Sequence, residues 1–149
     1  MVKNVFKKLG KKQKNNKGFS LVELIVVIAI MAVLVGVLAP QLIKYVEKSR
    51  EATDIQTCDN IATALKTYYA DEEVAATTVT VTLGKTELGT VADTAVKDAG
   101  LTKAKIKGTK WTGDKITIEY NKADGTITYT GDSPYYHSDK DQFKKGPKS

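Results

Sequence analysis

The chain reads as an α+β protein in which one long N-terminal helix, apolar in its first half and amphipathic in its second, packs on a small antiparallel β-sheet head. Three patterns predict this. From Phe19 to Ala39 an apolar run of 21 residues holds only two polar side chains, Ser20 and Glu23. A helical repeat follows, with Ile55, Cys58, Ala62, Leu65 and Tyr69 recurring at spacings of three and four. Beyond residue 76, β-branched residues alternate with polar ones over short segments punctuated by glycine. The expected organisation is a cleaved basic leader at 1–18, a transmembrane or filament-core helix at 19–40, its amphipathic continuation at 41–70, and a small head with a polar C-terminal tail at 71–149.

At a rise of about 1.5 Å per residue the apolar run spans about 31 Å, close to the hydrocarbon thickness of a bilayer. No polar stripe runs along it, so it suits lipid or a fully apolar bundle better than a half-wet surface. Seven lysines and no acidic residue precede it: Lys3, Lys7, Lys8, Lys11, Lys12, Lys14 and Lys17. That asymmetry places the N-terminus in the cytoplasm and the remainder outside. A secretory signal would have a shorter apolar core, about 7–15 residues, and a small-x-small cleavage site beyond it. Here the run passes into Pro40-Gln41-Leu42-Ile43 without one. A plain single-pass anchor explains the length and the lysines but not the carboxylate of Glu23 inside the run. A charge at a membrane helix centre costs about 2.5–3.5 kcal/mol on insertion scales. Near the helix start, snorkelling reduces that cost.

A cut between Gly18 and Phe19 would remove all seven lysines and leave a free amine on Phe19. A helix start already carries unpaired N–H groups and partial positive charge. The Glu23 carboxylate of a neighbouring copy would be a natural partner for that amine, since a paired charge in a low-dielectric setting costs much less than an unpaired one. Such a pair would set how far one helix lies along the next.

Lys17-Gly18-Phe19-Ser20-Leu21-Val22-Glu23-Leu24 and the apolar run after it resemble the class III signal of type IV pilins and pseudopilins. Glycine lies just before the cut, phenylalanine just after, and glutamate fifth from the cut. The resemblance covers residues 17–43. It implies a pilin-like fold and a prepilin peptidase that cuts after Gly18 and methylates the amine of Phe19. It further implies extraction from the membrane by an assembly platform and ATPase machinery, and a homopolymeric filament with the apolar helices inside and Glu23 meeting the neighbouring Phe19. The chain would then be a single-pass membrane protein before assembly and part of an extracellular filament on the bacterial surface afterwards. Pro40 falls where members of that family often carry a helix-kinking proline. A kink, or a flexible point that unwinds in the filament, are both open readings of it.

The net charge of +6 belongs to the leader. Without its seven lysines, 16 basic residues face 17 acidic ones. The basic balance therefore does not argue for a polyanion partner. A single cysteine, Cys58, excludes an intramolecular disulfide and a thiolate metal cluster. Cys58 lies on the apolar helical stripe and reads as a small buried hydrophobe.

Within the amphipathic stretch, Ile61 and Tyr68 widen the apolar stripe, while Glu47, Lys48, Glu51, Asp54 and Lys66 are expected on the opposite, solvated face. Phe19 to Ala70 as one helix would measure about 78 Å, suited to a filament spine. Residues 71–76 break the pattern. Thr77–Leu83 alternates as a strand. A short helix is expected over Thr90–Ala99, capped by Thr90 and stopped by Gly100. Lys103–Lys107 alternates as a further strand with lysines outward. With Lys110, Trp111 and Lys115 it forms a basic segment bearing one aromatic. DNA could use such a mix, with Trp111 stacking a base, but a solvated strand beside a half-buried tryptophan is the simpler reading. Lys115–Tyr120 and Thr126–Thr130 form the clearest hairpin, with Asp124-Gly125 suited to a positive φ. Residues 131–149 read as a mobile polar tail whose candidate contact residues are Tyr135, Tyr136 and His137.

Nothing points to catalysis. There is one histidine, and no glycine-rich phosphate loop, zinc spacing or nucleophile elbow. Asp132, Asp139 and Asp141 could touch calcium but lack an EF-hand pattern. No cofactor is expected. The function classes are a structural pilus subunit, a pseudopilin of a type II secretion or competence DNA-uptake system, and a membrane-tethered enzyme or receptor that would keep its leader.

Overall fold

A computed structural model describes residues 18–70 and 77–149. The leader lysines and the expected break at 71–76 lie outside the described residues. The chain divides into two compact units, Met1–Pro40 and Gln41–Ser149. The first helix, α1, spans Leu21–Tyr69, and Pro40 lies inside it without ending it. In the first unit, every side chain of α1 from Leu21 to Leu38 is exposed.

In the second unit α1 becomes the wall of a core. Its buried residues are Glu47, Glu51, Asp54, Cys58, Ile61, Ala62 and Leu65. Their spacing of four, three, four, three continues one stripe. Cys58, Ala62, Leu65 and Ile61 fall where the heptad-like repeat predicts. Glu47, Glu51 and Asp54 do not: they continue the buried stripe instead of facing solvent. Exposed Thr53, Thr63 and Thr67 and half-buried Thr57 lie along α1, each hydroxyl donating to the carbonyl four residues back at 2.8–2.9 Å. Those hydroxyls are satisfied locally and leave the helix exterior partly methyl-lined.

The sheet that meets this stripe has strand order β1-β2-β3, all antiparallel, with β1 Thr78–Leu83, β2 Ile116–Asn121 and β3 Ile127–Thr130. Alternation selects one face: Val81 and Leu83, Ile116, Ile118 and Tyr120, and Ile127 and Tyr129 are buried. Ile118 pairs with Val81 on one side and Tyr129 on the other. Ile61, Leu65, Leu83, Ile116 and Ile118 are fully buried, and each aliphatic chain of this size contributes about 1.5–3 kcal/mol through burial. The hairpin joining β2 and β3 turns at Gly125, whose φ is +70°, with Thr126 held by Asp124.

Three expectations for the head need correction. First, the helix expected over Thr90–Ala99 is split. A 3-10 turn spans Gly89–Val91, and α2 spans only Thr94–Asp98. Asp93, not Thr90, is its cap, accepting from the Ala95 N–H at 2.9 Å. Asp93 also accepts from the Tyr69 hydroxyl, which ties the cap to α1. Gly100 does end it, with φ +71°.

Second, Lys103–Lys107 is not a strand. Its Ile106 is buried and its lysines point outward as expected. Yet its backbone bonds go to loops, Leu88 N–H to the Ala104 carbonyl and Ile106 N–H to the Gly84 carbonyl. From Lys107 onward the N–H groups go to carboxylates on α1. A donor spent on a side chain is not available to a ladder.

Third, residues 131–149 are not a loose tail. They form a second, two-stranded antiparallel sheet, β4 Tyr136–Asp139 and β5 Gln142–Lys145, closed by a turn with Lys140 at φ +56°. The Tyr129 N–H donates to the Lys140 carbonyl at 2.7 Å. Phe143 packs edge-on to Trp111 at 5.7 Å and against Tyr129 at 5.2 Å. Tyr136 and Phe143 both pack against the core, and these two residues dock an otherwise polar run.

Candidate functional site

The residues singled out by sequence cluster where α1 begins. Gly18, Phe19 and Ser20 are non-helical and exposed, and Phe19 is 92% exposed. The Gly18–Phe19 peptide bond thus precedes the first helical turn and is exposed. Glycine there leaves its surroundings empty: a Cβ on Gly18 would meet nothing within 4 Å.

Ser20 and Glu23 come together. The Ser20 N–H donates to Glu23 Oε2 at 2.9 Å, and the Glu23 N–H donates to Ser20 Oγ at 3.2 Å. This reciprocal pair is a capping box, which satisfies two of the four orphan donors of a helix start. The Ser-x-x-Glu spacing was the sequence signal for it. Within one chain, Glu23 therefore has an engaged oxygen and a fixed position on the helix, while remaining exposed. Pro40 lies 17 residues further along the same helix.

A second group of polar residues, buried along α1, was not anticipated. Asp54, 1% exposed, accepts from Lys107 N–H at 2.7 Å, Gly108 N–H at 2.8 Å and Trp111 Nε1 at 2.9 Å. Glu47 accepts from the Thr109 N–H and faces Arg50 at 3.8 Å. Glu51, fully buried, accepts from the Ser133 hydroxyl at 2.5 Å, and its other oxygen has no partner. Three carboxylates on successive turns of α1 thus hold down the 107–111 loop and the Ser133 turn. Gly108 is needed for the approach: a Cβ there would meet Glu51 Cγ at 2.7 Å, Trp111 Nε1 at 2.8 Å and Asp54 Oδ2 at 2.9 Å. Burial lifts the Glu51 carboxyl above its ordinary value; the Ser133 bond opposes the shift, while Glu47 and Asp54 add to it.

Other candidate contacts resolve into packing. Trp111 is 3% exposed, so its ring is not presented for stacking on a base. Tyr135 lies beneath Lys48, and His137 Nδ1 contacts the Gly146 carbonyl at 2.9 Å. Asp139 is engaged by Lys144, and Asp132, Asp139 and Asp141 are not gathered into a metal-binding group among the described residues. Cys58 is fully buried, and burial, with Asp54 and Asp59 nearby, pushes its thiol above the ordinary range.

Residues 13–39 match the family model described as the prokaryotic N-terminal methylation motif. No curated protein and no solved structure matches the chain. A capped, exposed apolar helix entered directly from Gly18-Phe19, followed by antiparallel sheets of three and two strands, agrees with that match: the chain carries the class III signal of type IV pilins and pseudopilins on a pilin-like α+β fold.

Proposed function

We propose that this protein is the structural subunit of a type IV pilus, made as a prepilin, cut between Gly18 and Phe19, methylated on the Phe19 amine and polymerised through its apolar helix. The methylation motif at residues 13–39 carries the reading. Two physical facts support it. The side chains of Leu21–Leu38 are all exposed in the single chain, and each large aliphatic one left in water forgoes about 1.5–3 kcal/mol. Lipid before assembly, and neighbouring helices after it, would cover them. The helix is also long and apolar enough to cross a membrane.

In this reading the basic leader holds the N-terminus in the cytoplasm until the prepilin peptidase removes it. Glu23, kept on the first turn by Ser20, then offers its carboxylate to the amine of Phe19 on a neighbouring copy. That pairing fixes the axial offset between subunits, because two charges in an apolar bundle are tolerated only when matched. Pro40 supplies a weak point in α1, where one backbone hydrogen bond is missing and the helix can bend as subunits pass from membrane to fibre. Partners are then other copies of the chain, the peptidase, and the platform and ATPase that drive extraction.

Mass spectrometry of the mature protein tests the proposal. A chain that starts at Phe19 with one added methyl group supports it; a chain that retains Met1 or its leader lysines overturns it. Glu23→Ala should be processed yet remain in the membrane. Surface fibres built mainly of this chain identify a pilus subunit, whereas loss of secretion or DNA uptake without such fibres identifies a pseudopilin.

A further inference from the structure

We propose that Glu51 is a proton-controlled latch in the head, closing the 107–111 loop onto α1 when it is neutral and loosening it when it ionises. The inference is independent of the filament reading and rests on how the three buried carboxylates are supplied with donors.

Asp54 receives three donors, from Lys107 N–H, Gly108 N–H and Trp111 Nε1. Glu47 receives the Thr109 N–H and the nearby Arg50 guanidinium. Both arrangements answer negative charge. Glu51 is supplied differently. The Ser133 hydroxyl oxygen already accepts from Tyr135 N–H at 3.1 Å and Tyr136 N–H at 3.0 Å, so its proton points at Glu51 Oε2. Glu51 Oε1 is buried without a partner. A carboxylate oxygen in that position carries charge that nothing answers, whereas a protonated carboxyl costs much less to bury.

The charged groups around Glu51 strengthen this assignment. From its own helix, Glu47 and Asp54 face it, and both are acidic. Across from it, the 107–111 loop presents Gly108 and the Trp111 indole, neither of which is charged, with the Lys107 and Lys110 side chains turned to solvent. The Ser133 turn presents a hydroxyl, which is uncharged. Ionising Glu51 therefore places a third anion between two others under a loop that has no slack. Gly108 sits so close that a Cβ there would meet Glu51 Cγ at 2.7 Å. The loop can relieve the charge by lifting and admitting water.

The direction follows from linkage. A carboxyl raised in the folded state is bound more tightly to its proton there than in the unfolded chain. Its contribution is intact below the ordinary value of 4.5 and is lost as pH rises through the raised folded value. Lowering the pH closes the latch and raising it opens the latch.

Trp111, the only tryptophan in the chain, lies in the latch and reports on it. The experiment uses the full chain in detergent and follows acrylamide quenching of Trp111 from about pH 4 to about pH 9, with Glu51→Gln as the control for every other group that titrates across that range. Wild type should show a rise in quenching of roughly twofold or more across this range, and Glu51→Gln, neutral at every pH, should hold the low value throughout. Equal pH profiles for the two proteins overturn the proposal. If Glu51→Gln does not fold, carboxyl carbon-13 titration of Glu51 in the wild-type chain decides instead. A midpoint clearly above 4.5, tracking the Trp111 change, supports the latch; a midpoint at or below 4.5, or one unconnected to Trp111, refutes it.

Discussion

Replacing Asp54 with asparagine removes a charge while keeping the shape, and the structure sets what this must cost. Asp54 Oδ2 accepts from Gly108 N–H and Trp111 Nε1, and Oδ1 accepts from Lys107 N–H. Asparagine has one acceptor oxygen, not two. In its better orientation that oxygen keeps Gly108 and Trp111, and the amide NH2 then points at the Lys107 N–H, donor against donor. Two bonds fall from the charged class, about 1.5–3 kcal/mol each, to the neutral class, about 0.5–1.5, and the third is lost with its donor unanswered. The net loss is about 3–4 kcal/mol, after allowing about 1 kcal/mol for relieved repulsion among the acids. Against a total of about 5–15 kcal/mol for a domain, that is a large fraction. Urea unfolding of the full chain in detergent, read by Trp111 fluorescence, measures it. Making the substitution in the Glu51→Gln background isolates the Asp54 bonds from the latch. A loss below about 1 kcal/mol, with amide exchange at Lys107 and Gly108 unchanged, would refute the claim that Asp54 anchors the loop.

Gly108→Ala should destabilise the head by about 1–3 kcal/mol through overpacking against Glu51, Asp54 and Trp111, seen as a lower urea midpoint and red-shifted Trp111 emission. Cys58 should resist a disulfide reagent in the native chain and react fully in urea, because it is completely buried and its thiol is pushed up by that burial; native reactivity within minutes at mild alkaline pH would contradict the packing of α1 on the sheet. Gly18→Ala should abolish processing without disturbing the fold, since a Cβ at Gly18 meets nothing within 4 Å; a shift to the mature mass on a gel would show that the cleaving enzyme tolerates the methyl group.

The leading segment was legible because its information is local. Membrane length, charge asymmetry and the Gly18-Phe19-x-x-x-Glu23 spacing are properties of consecutive residues; the capping box, also local at three residues' separation, went unread. The β2–β3 hairpin was legible for the same reason: alternation and Asp124-Gly125 specify it within fifteen residues. The phase of the amphipathic helix was also in the sequence, since Glu47, Glu51, Asp54 and Cys58 continue the three-four spacing of Ile61 and Leu65. Their chemistry argued against it, because an acidic residue is assigned to solvent unless a donor is known to await it. Those donors come from Lys107, Gly108, Thr109, Trp111 and Ser133, 53 to 82 residues away. Only the folded chain brings them together, and in doing so it also decides that 103–107 forgoes a ladder and that Phe143 draws the last residues into a sheet. Periodicity and composition determined which part of this protein is an exposed helix long and apolar enough to cross a membrane; long-range hydrogen bonding determined how its head is held, because a buried carboxylate is stable only where distant backbone has already been placed to receive it.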